Sequence, residues 1–213
     1  NVELDTEWFV CNSVIKDRML INKIKPLFCF GGDSAFHFGS STYCQKFFFD
    51  FTYTLSKNTI YCVNPVGAAL MATHINDSHP HLSSNIISLP SKRFGSIALP
   101  NKDQLLTSDT QNVFTRYMLP IAQIFFKDIY CIGFDGKPKS KNNYFWEHSD
   151  RFQYDKSPVF KAHPTFFSDI NYDSYYTKHL NMMSSILKNK KKRNIKVSSL
   201  SPTFFDCLND NKK

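Results

Sequence analysis

The feature that most constrains the fold of this chain is an alternation. Short apolar runs of strand length are followed again and again by longer segments with helical periodicity, the βα rhythm of a mostly parallel sheet. Strands are expected at 8–11, 27–30, 59–63, 85–89, 129–132 and 194–197, and helices at 13–21, 41–55, 65–75, 109–126, 172–187 and 202–208. In the helix expected at 109–126, Val113, Tyr117, Ile121 and Ile124 keep one apolar face, and Pro120 should kink it. In the helix expected at 172–187, Tyr172, Tyr176, Leu180, Met183 and Leu187 form the core face. The expected class is α/β, with a mostly parallel sheet flanked by helices.

A chain of 213 residues can bury a full core, and its 21 Phe and 10 Tyr favour a folded globule over disorder. A single domain spanning 1–213 is expected. The six cysteines contain no C-x-x-C pair and several lie in apolar runs, which reads as buried thiols in a reducing compartment. No apolar run approaches a membrane span and no signal peptide opens the sequence, so a cytoplasmic protein is expected. The chain begins with Asn1 rather than Met, and an N-terminal truncation is expected.

The net charge of +8 is uneven, with Lys188, Lys190, Lys191, Lys192 and Arg193 in one block. That block at 188–193 suits peripheral contact with an anionic membrane, or simply the cationic end of a helix. A basic balance also suits an enzyme of phosphorylated donors. No nucleic-acid motif is present, and no nucleic-acid partner is expected.

Polar residues gather where strands end. Residues 8–11 run into Asn12, residues 27–30 into Gly31-Gly32-Asp33-Ser34, and the strand at 129–132 into Gly133, Phe134 and Asp135. Thr107 and Ser108 precede the long helix expected at 109–126 and offer hydroxyls and N–H groups there. In a parallel sheet these groups would line one crevice at the C-terminal edge, where nucleotides bind. The bland reading of any one of them is a cap or a turn.

The polar, aromatic stretch 136–168 has the length and composition of an active-site lid. It holds His148 and His163, each able to act as a general base near neutral pH. His74, His79 and His81 cluster without an acidic or thiol ligand at workable spacing, so no metal site is read there. His179 lies in a helix and reads as packed, and His37 as locally hydrogen-bonded.

In order and spacing the chain resembles the bacterial lipooligosaccharide sialyltransferases and the wider sialyltransferase-like proteins of modified Rossmann fold. The resemblance rests on Val10-Cys11-Asn12, Gly32-Asp33-Ser34, Thr107-Ser108-Asp109, Ile132-Gly133-Phe134-Asp135, Tyr144-Phe145, Ala162-His163-Pro164 and Leu200-Ser201-Pro202. It implies a metal-independent, inverting transfer of an acidic sugar, sialic acid or a relative, from a CMP-linked donor to a glycan or glycolipid acceptor. The process would be lipopolysaccharide biosynthesis, in the cytoplasm or at the inner membrane face, with no cofactor.

By that resemblance Asn12, Asp33, Ser34, Thr107, Ser108, Gly133 and Asp135 hold the nucleotide, Tyr144 contacts the phosphate, and His163 is the base. Lys137 stands near where the family has a second tyrosine and would stabilise the departing phosphate.

The chain departs from the family pattern in three places. No Gly-rich turn precedes Trp8, Asp109 replaces a glycine, and Asp33 replaces an amide. Two other classes stand beside this one, the first from the same broad fold group and the second favoured by the missing glycine turn. One is a diphosphotransferase resembling the pterin diphosphokinase-like group, with magnesium held by Asp33, Asp109 and Asp135. The other is a non-catalytic nucleotide- or glycan-binding remnant.

Overall fold

The strand-length runs pair as expected, and every pairing among the described residues is parallel. The computed structural model describes residues 6–93, 97–138, 150–154, 171–188 and 194–208. These form two compact units: residues 1–90 with 148–158, and residues 91–147 with 159–213.

Unit 1 is built on β1 (Phe9–Cys11), β2 (Phe28–Phe30), β3 (Ile60–Val63) and β4 (Ile86–Ser88), in that spatial order. The crossovers carry α1 (Arg18–Ile24), α2 (Ser34–Phe38), α3 (Thr42–Leu55) and α4 (Pro65–Ser78). Parallel strands added in sequential order by right-handed crossovers place their helices on one face. The core agrees with that geometry. Val10, Cys29 and Tyr61 stand in register across the sheet and pack with Ile21, Phe47, Phe51, Leu55, Met71 and Ile75 of the helices. The opposite face carries an aromatic group, with Phe9 edge-on to Phe28 at 4.9 Å between ring centres and 5.6 Å from Phe30.

Local chemistry moves several boundaries. The first helix is expected at 13–21 but divides into a 3-10 turn, Asn12–Lys16, and α1. The cause is Asp17, whose carboxylate accepts the Leu20 N–H at 3.0 Å and so starts a new helix. The helix α2 lies where the sequence suggests only a turn.

Unit 2 contains two two-stranded parallel sheets. One pairs β5 (Ser91–Lys92) with β6 (Thr107–Ser108), and the other pairs β7 (Asp128–Cys131) with β8 (Lys196–Ser199). The helix expected at 109–126 starts later, as a π-helical turn, Phe114–Met118, that leads into α5 (Leu119–Phe125). Residues 109–112 are occupied elsewhere: Asp109 N–H donates to Lys92 O, and Asn112 Oδ1 accepts the Phe114 N–H at 2.9 Å. Pro120 explains the wide turn. It has no N–H to give Arg116 O, and just before it the Leu119 N–H reaches back five residues to Phe114 O.

The final helix, α6 (Tyr172–Lys188), buries Tyr176, Met183 and Leu187 against Ile195, Val197 and Phe205, with Tyr172 and Leu180 packed beside them. The helix expected at 202–208 is reduced to a 3-10 turn, Asp206–Leu208, because the Phe204 N–H is donated to Asp135 O instead. Among the described residues no helix is long and apolar enough to cross a membrane.

Candidate functional site

In unit 1 the C-terminal ends of β1, β2 and β3 lie side by side, because Cys11, Phe30 and Cys62 are in register. The residues that follow them, Asn12, Gly31 and Val63-Asn64, therefore share one edge. The described strand order never reverses, so this edge lacks the switch point at which open α/β sheets usually form their crevice. What the edge does have is a set of close polar groups.

Asn12 has the strongest signature. Its φ of +49° is in the left-handed region, which asparagine tolerates better than most residues. Its Oδ1 is buried and accepts no hydrogen bond among the described residues. Asn12 does not cap the turn it opens, since that cap is Cys11, without a side-chain bond. A buried acceptor left unmade costs about 1–3 kcal/mol. A ligand N–H or O–H arriving at this position would satisfy it.

The neighbours of Asn12 are differently engaged. Ser34 is buried and donates its hydroxyl to Asn64 Oδ1 at 2.9 Å. Asn64 is also the cap of α4, accepting the Gly67 N–H at 2.7 Å ahead of Pro65. Sequence reasoning did not name Asn64, although an Asn-Pro pair between a strand and a helix is its signal. Gly67 is required there, because a Cβ would stand 2.4 Å from Val63 and 2.5 Å from Ser34 Oγ. Asp33 is exposed at the same turn. His37 is buried in α2 and stacks on Phe47 at 4.5 Å.

The thiols beneath this edge are held in the protonated form at neutral pH. Burial pushes the Cys11 thiol up to about 11, Cys62 to about 12, and Cys29 well above its ordinary value. All six cysteines are free.

The remaining described positions belong to unit 2. Thr107 and Ser108 do not open a helix as expected. They form β6 and are buried, and Ser108 Oγ accepts the Ala98 N–H at 2.8 Å. Asp109 is neutralised by Arg116 at 3.2 Å, and Arg116 also donates to Ser91 Oγ at 2.6 Å. The Asp109 charge is thereby compensated.

Gly133 and Asp135 lie in the loop after β7, side by side with the loop after β8. The Gly133 N–H donates to Ser201 Oγ at 3.0 Å, and Asp135 O accepts from Phe204 N at 2.7 Å. Gly133 has φ +73° and open space around it, and Asp135 is exposed. Lys137 is less free than its expected role requires. It is ion-paired with Asp173 and lies over the Tyr176 ring at 5.4 Å, while its backbone N–H donates to Tyr176 Oη at 2.6 Å.

Tyr144, His148 and His163 lie outside the described residues, as do 189–193 of the basic block. His74 and His79 stand 5.9 Å and 6.3 Å from the Phe48 ring of α3, and His81 stands 6.3 Å from His79. Among the described residues no three His, Cys, Asp or Glu side chains stand together as a metal site. A surface depression of about 340 Å³ lies away from this edge, lined by Asn22, Lys25, Ser56, Lys57 and Asn58 at the C-terminal ends of α1 and α3. Its lysines complement the helix dipoles.

No family model, no curated protein and no solved structure matches this chain.

Proposed function

We propose that this chain is a metal-independent, inverting glycosyltransferase that moves sialic acid or a related acidic sugar from a CMP-linked donor to a surface-glycan or glycolipid acceptor. The observation that carries the reading is Asn12: a left-handed residue at the end of a parallel strand, with a buried carboxamide oxygen that has no partner among the described residues. Backbone strain of this kind clusters at ligand sites. An orphan acceptor beside a sheet edge suits the hydroxyls or amino group of a nucleoside.

The exposed loop Gly133–Asp135, open for close backbone approach, supports the reading from unit 2. Ser34, Thr107 and Ser108 are buried, which favours a supporting part over direct contact with the nucleotide. Lys137, paired with Asp173, would act on the leaving phosphate only after exchanging partners, so the greater share of charge stabilisation falls to Tyr144. His163 takes the acceptor proton as the acceptor oxygen attacks the anomeric carbon and CMP departs. The enzyme would work in the cytoplasm, with 188–193 against the inner membrane.

The test is transfer from CMP-linked sugars by the wild-type chain and by His163→Ala. Loss of turnover by at least a hundredfold, with CMP affinity within a few fold, is expected. Undiminished turnover in the variant would remove His163 from the reaction.

A further inference from the structure

Residues 148–158 belong with unit 1, although the chain on both sides of them belongs with unit 2. The described part of this excursion, 150–154, is attached to unit 1 by contacts between residues more than a hundred positions apart. The Tyr154 ring meets Tyr43 edge-on at 5.2 Å and Phe47 at 6.0 Å. Its hydroxyl donates to Asp50 Oδ2 at 2.8 Å, and Arg18 Nε donates to Asp50 Oδ1 at 2.6 Å. Lys16 Nζ donates to the backbone carbonyls of Asp150 and Gln153 and lies 5.7 Å from the Tyr154 ring centre. Arg151 pairs with Asp17, the cap of α1.

These contacts share a design. α3 supplies an aromatic seat and one carboxylate, and the start of α1 supplies an ammonium and a second carboxylate. Both carboxylates already serve unit 1, Asp50 with Arg18 and Asp17 with the Leu20 N–H, so neither is left bare when the segment departs. Of these bonds, the Arg151–Asp17 pair has an exposed guanidinium and pairs of that kind are individually weak, while the Tyr154–Asp50 bond is partly buried. Segments held in this way open locally before the whole molecule unfolds.

We propose that residues 150–154 are a releasable clasp on unit 1, pinned by Tyr154 between Tyr43, Phe47 and Asp50. The clasp fixes the middle of the lid-length segment to α1 and α3, and it stands whether or not the nucleotide reading is correct. Burial and the Asp50 carboxylate together hold the Tyr154 phenol protonated, so the pin stays a hydrogen-bond donor throughout the neutral range.

Native-state trypsin cleavage of the full chain tests this, with scission after Arg151 followed by mass spectrometry in 0 to 2 M urea. Cleavage there needs the segment to lift, and its rate reports the population of the open form. Tyr154→Phe, which keeps the ring and removes the hydroxyl, should speed scission about tenfold, with a shallow urea dependence and an unchanged midpoint of global unfolding. Lys16→Met should accelerate the same scission. Scission at the wild-type rate in both variants would overturn the clasp. So would acceleration with the steep urea dependence of global unfolding, since Tyr154 would then be an ordinary core residue.

Discussion

A methyl group added to Gly31 would stand 2.0 Å from the Tyr61 hydroxyl and 2.9 Å from the ring carbon that bears it. That hydroxyl is buried without a hydrogen-bond partner among the described residues, so the close approach of backbone to phenol is a packing device. Gly31→Ala should cost about 1–3 kcal/mol in urea unfolding. Tyr61→Phe alone should be neutral or stabilise by up to about 1 kcal/mol, because it deletes an unsatisfied buried group. Combined, Tyr61→Phe should recover part of the Gly31→Ala loss. Strict additivity of the two changes would contradict the contact. The sequence marked Gly31-Gly32 as a turn or a ligand approach, and periodicity gave no sign of the real neighbour. Tyr61 reaches Gly31 only because β2 and β3 are adjacent and in register. The cap made by Asn64 was legible in its Asn-Pro pair, but the hydrogen bond it accepts from the Ser34 hydroxyl, thirty residues away, was not.

Among elements, α6 and the π-helical turn share a buried polar chain in which Thr110 Oγ1 is 2.9 Å from Thr115 Oγ1, itself 3.3 Å from His179 Nδ1. Phe205 closes over the imidazole at 5.7 Å. Burial pushes the His179 imidazole down to about 4, so it is neutral at physiological pH. An unfolded histidine binds a proton near pH 6.5, which the folded state resists until about pH 4. The stability from this group is complete above pH 6.5 and is lost as pH falls toward 4, by about 3 kcal/mol across that window. Urea midpoints measured at pH 7 and pH 4.5 should separate strongly for the wild type and less for His179→Gln. Equal separation would show that His179 is not the group responsible.

At this level the sequence was legible wherever an element depends on its own residues. The α6 core face is as expected, five of the six expected strands fall within one residue, and the sixth is displaced by two residues behind Asn194, left-handed at φ +53°. Elements whose ends are claimed by distant groups were not legible. Asp109 is drawn to β5 and the 202–205 loop to Asp135, and both shorten helices that local propensity would have extended.

For the whole molecule, the class follows from parallel pairing of every described strand, with helices stacked on one face of the sequentially ordered sheet of unit 1. The expected nucleotide residues divide between the two units: Asn12, Asp33 and Ser34 in one, and Thr107, Ser108, Gly133 and Asp135 in the other. The carboxylates of the diphosphotransferase alternative divide in the same way, and Asp109 is already paired with Arg116. The central claim is that the edge marked by Asn12 receives a CMP moiety. Calorimetric titration of the purified chain with CMP tests it most directly, with and without magnesium, with GMP and ADP as controls, and with Asn12→Ala alongside. The account predicts CMP-selective binding, equal with and without the metal and weakened about tenfold or more in Asn12→Ala. Absence of CMP binding, equal affinity for GMP and ADP, or binding that requires magnesium would contradict it.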